Sequence, residues 1–251
     1  MCVFPNVVLI VLGLFCIPGC RKDDEDPVTQ TVLVVVDTVA VHPDEVADVD
    51  GNIYSTTVIG SQRWMAENLR TVHYSNGDPI PYVPSGTQWA NLSTGAWSIY
   101  DSDASYDVFY GKLYNWYTVS DSRNVCPAGW HVPADADWME LEQTLGVPVS
   151  DLDLIGLRGA AANVGGQLKA NLLWDSPNTG ANDNSGFSAY PGGNRTVNGA
   201  FGSIGDIGYW WSASEQDIDL AWLRQLWWSS AGIYRASSSK EIGGSVRCVE
   251  D

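Results

Sequence analysis

Hydrophobic and polar residues alternate in several short stretches of this chain, and such alternation is typical of half-buried β-strands. Residues 53–59 alternate directly after the turn signal Asp50-Gly51-Asn52, and residues 63–66 follow a second turn. We predict that these two segments form a hairpin. Four segments near the end of the chain favour one antiparallel set of strands, with residues 229–232 as a hairpin turn: residues 209–213, 221–228, 233–236 and 245–249.

Two other segments show the spacing of apolar residues that predicts a helix. Residues 112–120 place Leu113, Trp116 and Tyr117 on one helical face. Residues 135–145 also have an apolar face; acidic residues in the first turn favour the positive end of the helix dipole, and a glycine follows the last turn.

The segments between these elements are rich in glycine, asparagine and other turn residues. Residues 75–108 and 156–208 are therefore predicted as long ordered loops. The pattern as a whole predicts an α+β fold, in which two short helices pack on antiparallel sheets and long irregular loops connect them.

The N-terminal residues are typical of an export signal. Residues 7–15 form an apolar run that is too short to span a bilayer, and Ile17-Pro18-Gly19-Cys20 follows it. This arrangement resembles the lipobox of bacterial lipoproteins, which predicts a signal peptide over residues 1–19 and a lipid on Cys20. A plain signal peptide with a chance cysteine is the alternative, since no lysine or arginine precedes the apolar run.

The residues after Cys20 predict a tether outside the membrane. Residues 21–26 are a charged run that must lie in water, and residues 20–47 as a whole are interpreted as the lipidated cysteine and an acidic linker. Residues 31–36 have strand-like character and form either an added edge strand or part of the stalk. We expect an outer-membrane protein that faces the cell exterior and contacts the membrane through its lipid anchor only.

Charge and composition narrow the classes of partner. The chain carries 13 Lys and Arg residues against 30 Asp and Glu residues, for a net charge of −17. Such a charge repels nucleic acid and anionic lipid headgroups, so neither is an expected partner. The 12 tryptophans and 11 tyrosines are enough for a large core, so disorder is not expected beyond the tether.

The cysteines predict one disulfide. Cys2 and Cys16 leave with the signal peptide and Cys20 takes the lipid, so that Cys126 and Cys248 remain in a compartment that permits disulfides. We predict that these two residues pair; two buried free thiols are the alternative.

Several long phrases resemble one known family. They are DGNIYSTTVIGSQRWMAENL, YGKLYNWYTVSD, CPAGWHVPADADWMELE, NSGFSAYPGG, GYWWSASE and SVRCVED. Together they are similar to the major paralogous domain family first described in Fibrobacter succinogenes, over residues 48–251. The resemblance implies an exported, often lipid-anchored protein, a divergent C-type-lectin-like fold, and no assigned biochemical function.

A C-type-lectin-like fold has a characteristic order of elements, and this chain follows it. In that fold a cysteine near the first helix precedes a Gly-x-His segment and a second helix, and it bridges to a cysteine in the final strand. Here Cys126 precedes Gly129-Trp130-His131 and the helix predicted from residue 135, and Cys248 lies in the last predicted strand. The resemblance thus implies a disulfide that braces the first helix to the closing strand.

Calcium is the only cofactor that the sequence suggests. The Glu-Pro-Asn, Gln-Pro-Asp and Trp-Asn-Asp triplets of calcium-dependent lectins are absent, so their sugar site is not transferred. Residues 101–107 resemble half of an EF-hand loop but have Tyr106 and Lys112 where glycine and glutamate are needed, which predicts a solvated loop. A cluster of oxygen ligands could form a different calcium site, although solvated turns explain the same residues: Asn182, Asp183, Asn184, Glu215, Asp217 and Asp219.

Two pairs of adjacent tryptophans suggest a carbohydrate site. Side chains alternate faces along a strand, so one residue of Trp210-Trp211 and one of Trp227-Trp228 should point outward unless the loops cover both sheet faces. An exposed indole can stack on a sugar ring while neighbouring polar groups bond the hydroxyls. The predicted ligand-binding residues are Trp210, Trp227, Trp228, Asn194, Arg224 and Arg235.

Motifs for catalysis are weak by comparison. The three histidines His42, His73 and His131 have no ligand-spaced partners for zinc, and the chain contains neither a nucleophile elbow nor a phosphate-binding loop. His131 is interpreted as structural. We therefore expect a non-catalytic module that binds glycan or another extracellular ligand. The alternative is a structural or adhesive cell-envelope protein that makes protein contacts.

Overall fold

The structure is a computed structural model and describes residues 44–251. The predictions for the signal peptide, for Cys20, for most of the tether and for residues 31–36 lie outside this range. The strands are β1 (Glu45–Ala47), β2 (Ile53–Ile59), β3 (Gln62–Met65), β4 (Trp97–Ser98), β5 (Leu113–Tyr114), β6 (Trp130–His131), β7 (Gly156–Arg158), β8 (Gly192–Arg195), β9 (Phe201–Ile204), β10 (Ile207–Glu215), β11 (Leu220–Trp227), β12 (Ile233–Ser239) and β13 (Val249–Glu250). The helices are α1 (Gly86–Trp89), α2 (Asp107–Tyr110), α3 (Trp116–Val119), α4 (Asp135–Leu145) and α5 (Val164–Leu168), joined by short 3-10 turns at Tyr100–Ser102, Ala104–Tyr106 and Val149–Asp151.

The first sheet has the strand order β1-β2-β3-β13-β6. Its β2–β3 hairpin is the one that the alternation predicts, with Ile59 opposite Gln62 at the turn. The last strand, β13, also lies in this sheet, where Val249 pairs with both Trp64 and His131. The prediction that residues 245–249 join the other late strands in one antiparallel set is therefore wrong. Only Ser245 bridges to β10, in the parallel direction, whereas Val249 pairs with β3 and β6.

The second sheet has the order β7-β12-β11-β10-β8-β9. Strands β10, β11 and β12 form the predicted antiparallel set, and the turn between β11 and β12 is the predicted one. Strand β8 runs parallel to β10 and brings in residues 192–195 from the middle of the chain. Together the elements confirm an α+β fold made mostly of strands.

One of the two predicted helices is confirmed. Helix α4 has the predicted bounds, its N-terminal Ala134 N–H donates to the Asp137 carboxylate at 2.7 Å, and Gly146 ends it with a φ of 115°. The segment 112–120 is not one helix. Asn115 accepts a hydrogen bond from the Thr118 N–H and starts the short helix α3, while the residues before it form β5 and pair with β4.

The two predicted loops contain more regular structure than expected. Residues 156–208 include β7, α5, β8 and β9, and residues 75–108 include α1 and β4. These elements are short, and β7 pairs with the distant strand β12, so local patterning does not reveal them. None of the helices in residues 44–251 is both long and apolar enough to cross a membrane.

Buried cations hold the irregular segments in place. Arg195, Arg247 and Lys169 are fully buried, and each donates hydrogen bonds to backbone carbonyl oxygens. Arg195 bonds the carbonyls of Val83 and Pro84, and its guanidinium group also lies against two aromatic rings. A buried carbonyl oxygen without a hydrogen-bond donor lowers the stability of the fold. These cations therefore stabilise loops in which strand pairing does not supply the donors.

The predicted disulfide is present. Cys126 and Cys248 are both buried and bonded, with their Cα atoms 5.9 Å apart. The bridge joins the segment after α3 to the residue before β13, so it ties the middle of the chain to its end.

Candidate ligand-binding site

The adjacent tryptophans on β10, Trp210 and Trp211, are both buried, whereas the prediction was that one of them points outward. Trp210 faces α4 in a core with Trp138 and Leu226, and only 1% of its surface is exposed. Trp211 points to the opposite face of the sheet and is also fully buried, in a second core. Both faces of the sheet are covered at this point, so the expectation that Trp210 presents its ring to a ligand is wrong.

The two predicted arginines are also unavailable to a ligand. Arg224 and Arg235 lie opposite each other on β11 and β12, and both are buried. The Asp135 carboxylate forms ion pairs with the guanidinium groups of Arg224 and Arg235, each with an N–O distance of 2.7 Å. The Glu142 carboxylate also pairs with Arg224. These carboxylates come from α4, which sequence periodicity alone could not place against the sheet. The arginines therefore fasten the helix to the sheet instead of binding sugar hydroxyls.

The same sheet carries partly exposed aromatic residues further along its strands. Tyr234 lies opposite both Leu157 on β7 and Gln225 on β11, and Gln225 lies opposite Tyr209 on β10. These four side chains therefore share one sheet face in a row of about 14 Å, given a strand spacing of about 4.8 Å. Trp227 and Ile207 pair in the next row on this face. We call this surface the aromatic patch: Leu157, Ile207, Tyr209, Gln225, Trp227 and Tyr234, all half-buried or exposed.

Trp227 and Tyr234 form the centre of the aromatic patch. Their rings stack with centroids 5.0 Å apart and an angle of 28° between the planes. The Trp227 indole N–H donates to the Gln225 amide oxygen at 3.0 Å, which directs the amide nitrogen of Gln225 away from the indole. The patch therefore combines aromatic surface with a fixed polar group, and it includes one of the predicted binding residues, Trp227.

A buried lysine fixes the backbone beneath the patch. The Lys169 ammonium donates to three carbonyl oxygens, and burial lowers the pKa of Lys169 to about 8. This contact spans the turn between β11 and β12, so it holds Trp227 at the end of its strand. The three acceptors are the carbonyls of Thr179 at 2.8 Å, Trp227 at 3.1 Å and Ser230 at 2.9 Å.

The other two predicted sugar-binding residues lie outside the patch. Trp228 is half-buried next to it, and its backbone bonds Asp206 on one side and Thr179 on the other. Asn194 is half-buried on β8, which β10 separates from the strand of Trp227. Of the six predicted residues, only Trp227 therefore lies in the aromatic patch. Its neighbours there, chiefly Tyr234, Gln225 and Tyr209, are residues that the sequence did not single out.

The predicted calcium ligands make separate local contacts. The Asp183 carboxylate accepts bonds from the backbone and hydroxyl of Ser188, and the Asn182 side chain accepts from the Asn184 N–H. Glu215 forms an ion pair with Lys240 at 3.2 Å, and the Asp217 side chain accepts the backbone N–H groups of residues 219 and 220. Within residues 44–251, no three His, Cys, Asp or Glu side chains form a group that could hold a metal ion.

His131, on β6, contacts both the last residue of the sequence and helix α4. Its Nδ1 atom lies 2.7 Å from the Asp251 carboxylate, and its Nε2 atom lies 3.3 Å from Asp137 at the start of α4. The side chain thus ties the chain end to the helix, which agrees with a structural role.

Comparison with known proteins identifies the family. A family model for the Fibrobacter succinogenes major domain matches residues 58–250. This chain belongs to that family. The Fibrobacter succinogenes major domain therefore includes both cysteines of the bridge and all six strands of the second sheet, with the aromatic patch on it. No curated protein and no solved structure matches the chain.

Proposed function

We propose that this domain is a non-catalytic binding module that is displayed on the cell surface and holds glycan on its aromatic patch. The observation that carries the proposal is the stacked pair of Trp227 and Tyr234 on a partly exposed sheet face. Aromatic side chains that stay partly exposed together on a sheet face indicate a contact surface, because apolar surface costs free energy when it faces water.

The chemistry of the patch suits a sugar chain. Aromatic rings offer flat apolar faces to the C–H groups of a pyranose ring, and the Gln225 amide and Tyr209 hydroxyl supply hydrogen bonds for its hydroxyls. A row of about 14 Å across four strands is long enough for several sugar units. The net charge of −17 disfavours acidic polysaccharides, so a neutral glycan is the preferred ligand.

The proposed scaffold is C-type-lectin-like. Two features support it: the bridge between Cys126 and Cys248, and the Gly129-Trp130-His131 segment, whose last two residues form β6 beside the closing strand.

We further propose that Cys20 carries a lipid that holds the protein on the outer membrane, facing outward. Incorporation of labelled palmitate into the full chain, and its loss in Cys20→Ser, would test the anchor.

A polysaccharide pull-down tests the proposed glycan site. We expect the purified full chain to bind a neutral polysaccharide saturably, and Trp227→Ala or Tyr234→Ala to weaken that binding at least tenfold, since central aromatic residues dominate most interfaces. Tyr82→Ala is the matched control, because Tyr82 is an exposed ring that stacks on Trp97 with the same 28° angle outside the patch. Equal binding by all three variants would contradict the proposal.

A protein-binding or adhesive role is the second candidate. The segment before and within edge strand β7 exposes Leu154, Ile155 and Leu157 by 55%, 69% and 47%. An apolar edge strand of this kind is a natural contact surface for another protein. Cross-linking that recovers a protein partner, together with no affinity for any polysaccharide, would favour this role over glycan binding.

A further inference from the structure

A concavity lies outside the aromatic patch and shares no residue with it. Its volume is about 520 Å³, which falls in the range of roughly 300–1,000 Å³ that is usual for small-molecule sites. We call it the hydroxyl groove. Its lining residues come from four segments, within residues 74–81, 93–95 and 120–123 and at Tyr117.

The apolar surface of the groove comes from rings. Pro79 and Pro81 are exposed, and Tyr117 is half-buried. Tyr74 is buried beneath the guanidinium group of Arg123, which lies 4.0 Å from its ring centroid. A side chain at Gly95 would clash with the Tyr74 hydroxyl, so glycine at this position lets the groove wall pack closely against the buried ring. The accessible ring surfaces of Pro79, Pro81 and Tyr117 are suited to a ring-shaped ligand.

The charged groups of the groove neutralise each other. Arg123 donates to both carboxylate oxygens of Asp121, at 2.9 and 2.7 Å, and to Asp78 at 3.2 Å. Hydrogen bonds from Arg123 lower the pKa of Asp121 to about 2, so the carboxylate stays ionised and paired. An anionic ligand would find no uncompensated positive charge here, and it would face the acidic residues around Arg123. Phosphates, sulfates and sugar acids are therefore disfavoured.

The remaining polar surface consists of hydroxyl groups. Ser93, Thr94, Ser120 and Ser122 are all exposed around the groove. A hydroxyl both donates and accepts hydrogen bonds, so a set of hydroxyls can match a ligand that presents hydroxyls of its own. We infer that the hydroxyl groove is a second binding site, independent of the aromatic patch, for a neutral saccharide of one or two sugar units.

Calorimetric titration of the purified full chain with maltose, cellobiose and lactose tests this site. We expect saturable binding of at least one of these neutral disaccharides. Ser122→Trp should weaken it at least tenfold, because an indole at this exposed position fills the groove without removing a buried group. Thr87→Trp, on an exposed part of α1 outside the groove, is the matched control and should bind normally. Tyr117→Ala should weaken binding in the same direction.

The outcomes separate the groove from the aromatic patch. Binding of disaccharide that survives Trp227→Ala but is lost in Ser122→Trp supports the groove. No saturable heat with any of the three disaccharides overturns it, as does tighter binding of glucose 6-phosphate than of glucose. Disaccharide binding that Trp227→Ala abolishes and Ser122→Trp leaves intact also overturns the groove, while it supports the aromatic patch.

Discussion

A buried charged cluster shows what single residues contribute to this fold. Glu142 is fully buried and pairs with two buried arginines, Arg158 and Arg224, while Asp135 joins Arg224 to Arg235. Burying charges is unfavourable unless each has a partner, and loss of one partner leaves the others desolvated and uncompensated. Glu142 is thus the residue on which the cluster depends, because it is the only carboxylate that contacts Arg158 in residues 44–251.

The substitution Glu142→Gln tests this dependence. We expect it to lower the free energy of unfolding by about 3–5 kcal/mol, as for other broken buried pairs, measured by urea denaturation. Glu140→Gln is the control on the same helix, where an exposed side chain bonds Ser61; its effect should stay within about 0.5 kcal/mol. Similar stability of the two variants would show that the cluster is not energetically important.

At the scale of elements, buried cationic side chains stabilise the irregular segments, because they donate hydrogen bonds to backbone carbonyls that no neighbouring strand pairs with. Arg195 joins the segment before α1 to the turn between β8 and β9, through the carbonyls of Val83, Pro84 and Gly199. A methionine has similar length but no donors, so it would leave these buried carbonyls unsatisfied.

Hydrogen exchange followed by mass spectrometry should reveal this role. In Arg195→Met we expect faster exchange over residues 83–90 and 196–200, and little change in β10–β12, because the lost contacts are local. Arg63→Met, on β3 and partly exposed beside Glu250, provides a control that removes an arginine from a regular strand. Uniform acceleration across the whole domain would instead indicate a loss of global stability.

At the scale of the whole molecule, the two larger sheets are built from segments that are far apart in sequence. The first sheet takes β13 from the chain end, and the bridge between Cys126 and Cys248 spans 122 residues. A covalent link over such a distance restricts the unfolded chain much more than the folded one.

Removing the bridge should therefore be costly. We expect the double variant Cys126→Ala/Cys248→Ala to lose about 4–5 kcal/mol of unfolding free energy, following the chain-entropy estimate for a loop of this length. Denaturation of the parent protein under oxidising and reducing conditions should show a comparable difference. A variant as stable as the parent would mean that the bridge has no energetic role in the folded domain.

Local patterns were sufficient for part of the architecture. The β2–β3 hairpin and α4 follow from alternation, helical spacing and a terminal glycine, all of which act over a few neighbouring residues. Counting cysteines was enough to predict their pairing, since the export interpretation left only two. The long phrases of the sequence are enough to indicate the family, and the match over residues 58–250 confirms it.

The candidate site required the tertiary structure. Trp210 and Trp227 occupy the same kind of strand, but α4 covers one and the other remains partly exposed near the end of β11. Arg224 and Arg235 find their carboxylates on a helix 82 to 100 residues away, and Tyr234 meets Trp227 only through strand register. The sequence by itself determined the local elements, the cysteine pair and the family. The tertiary structure alone decided which side chains reach solvent, because the exposure of a strand face depends on what distant segments pack against it.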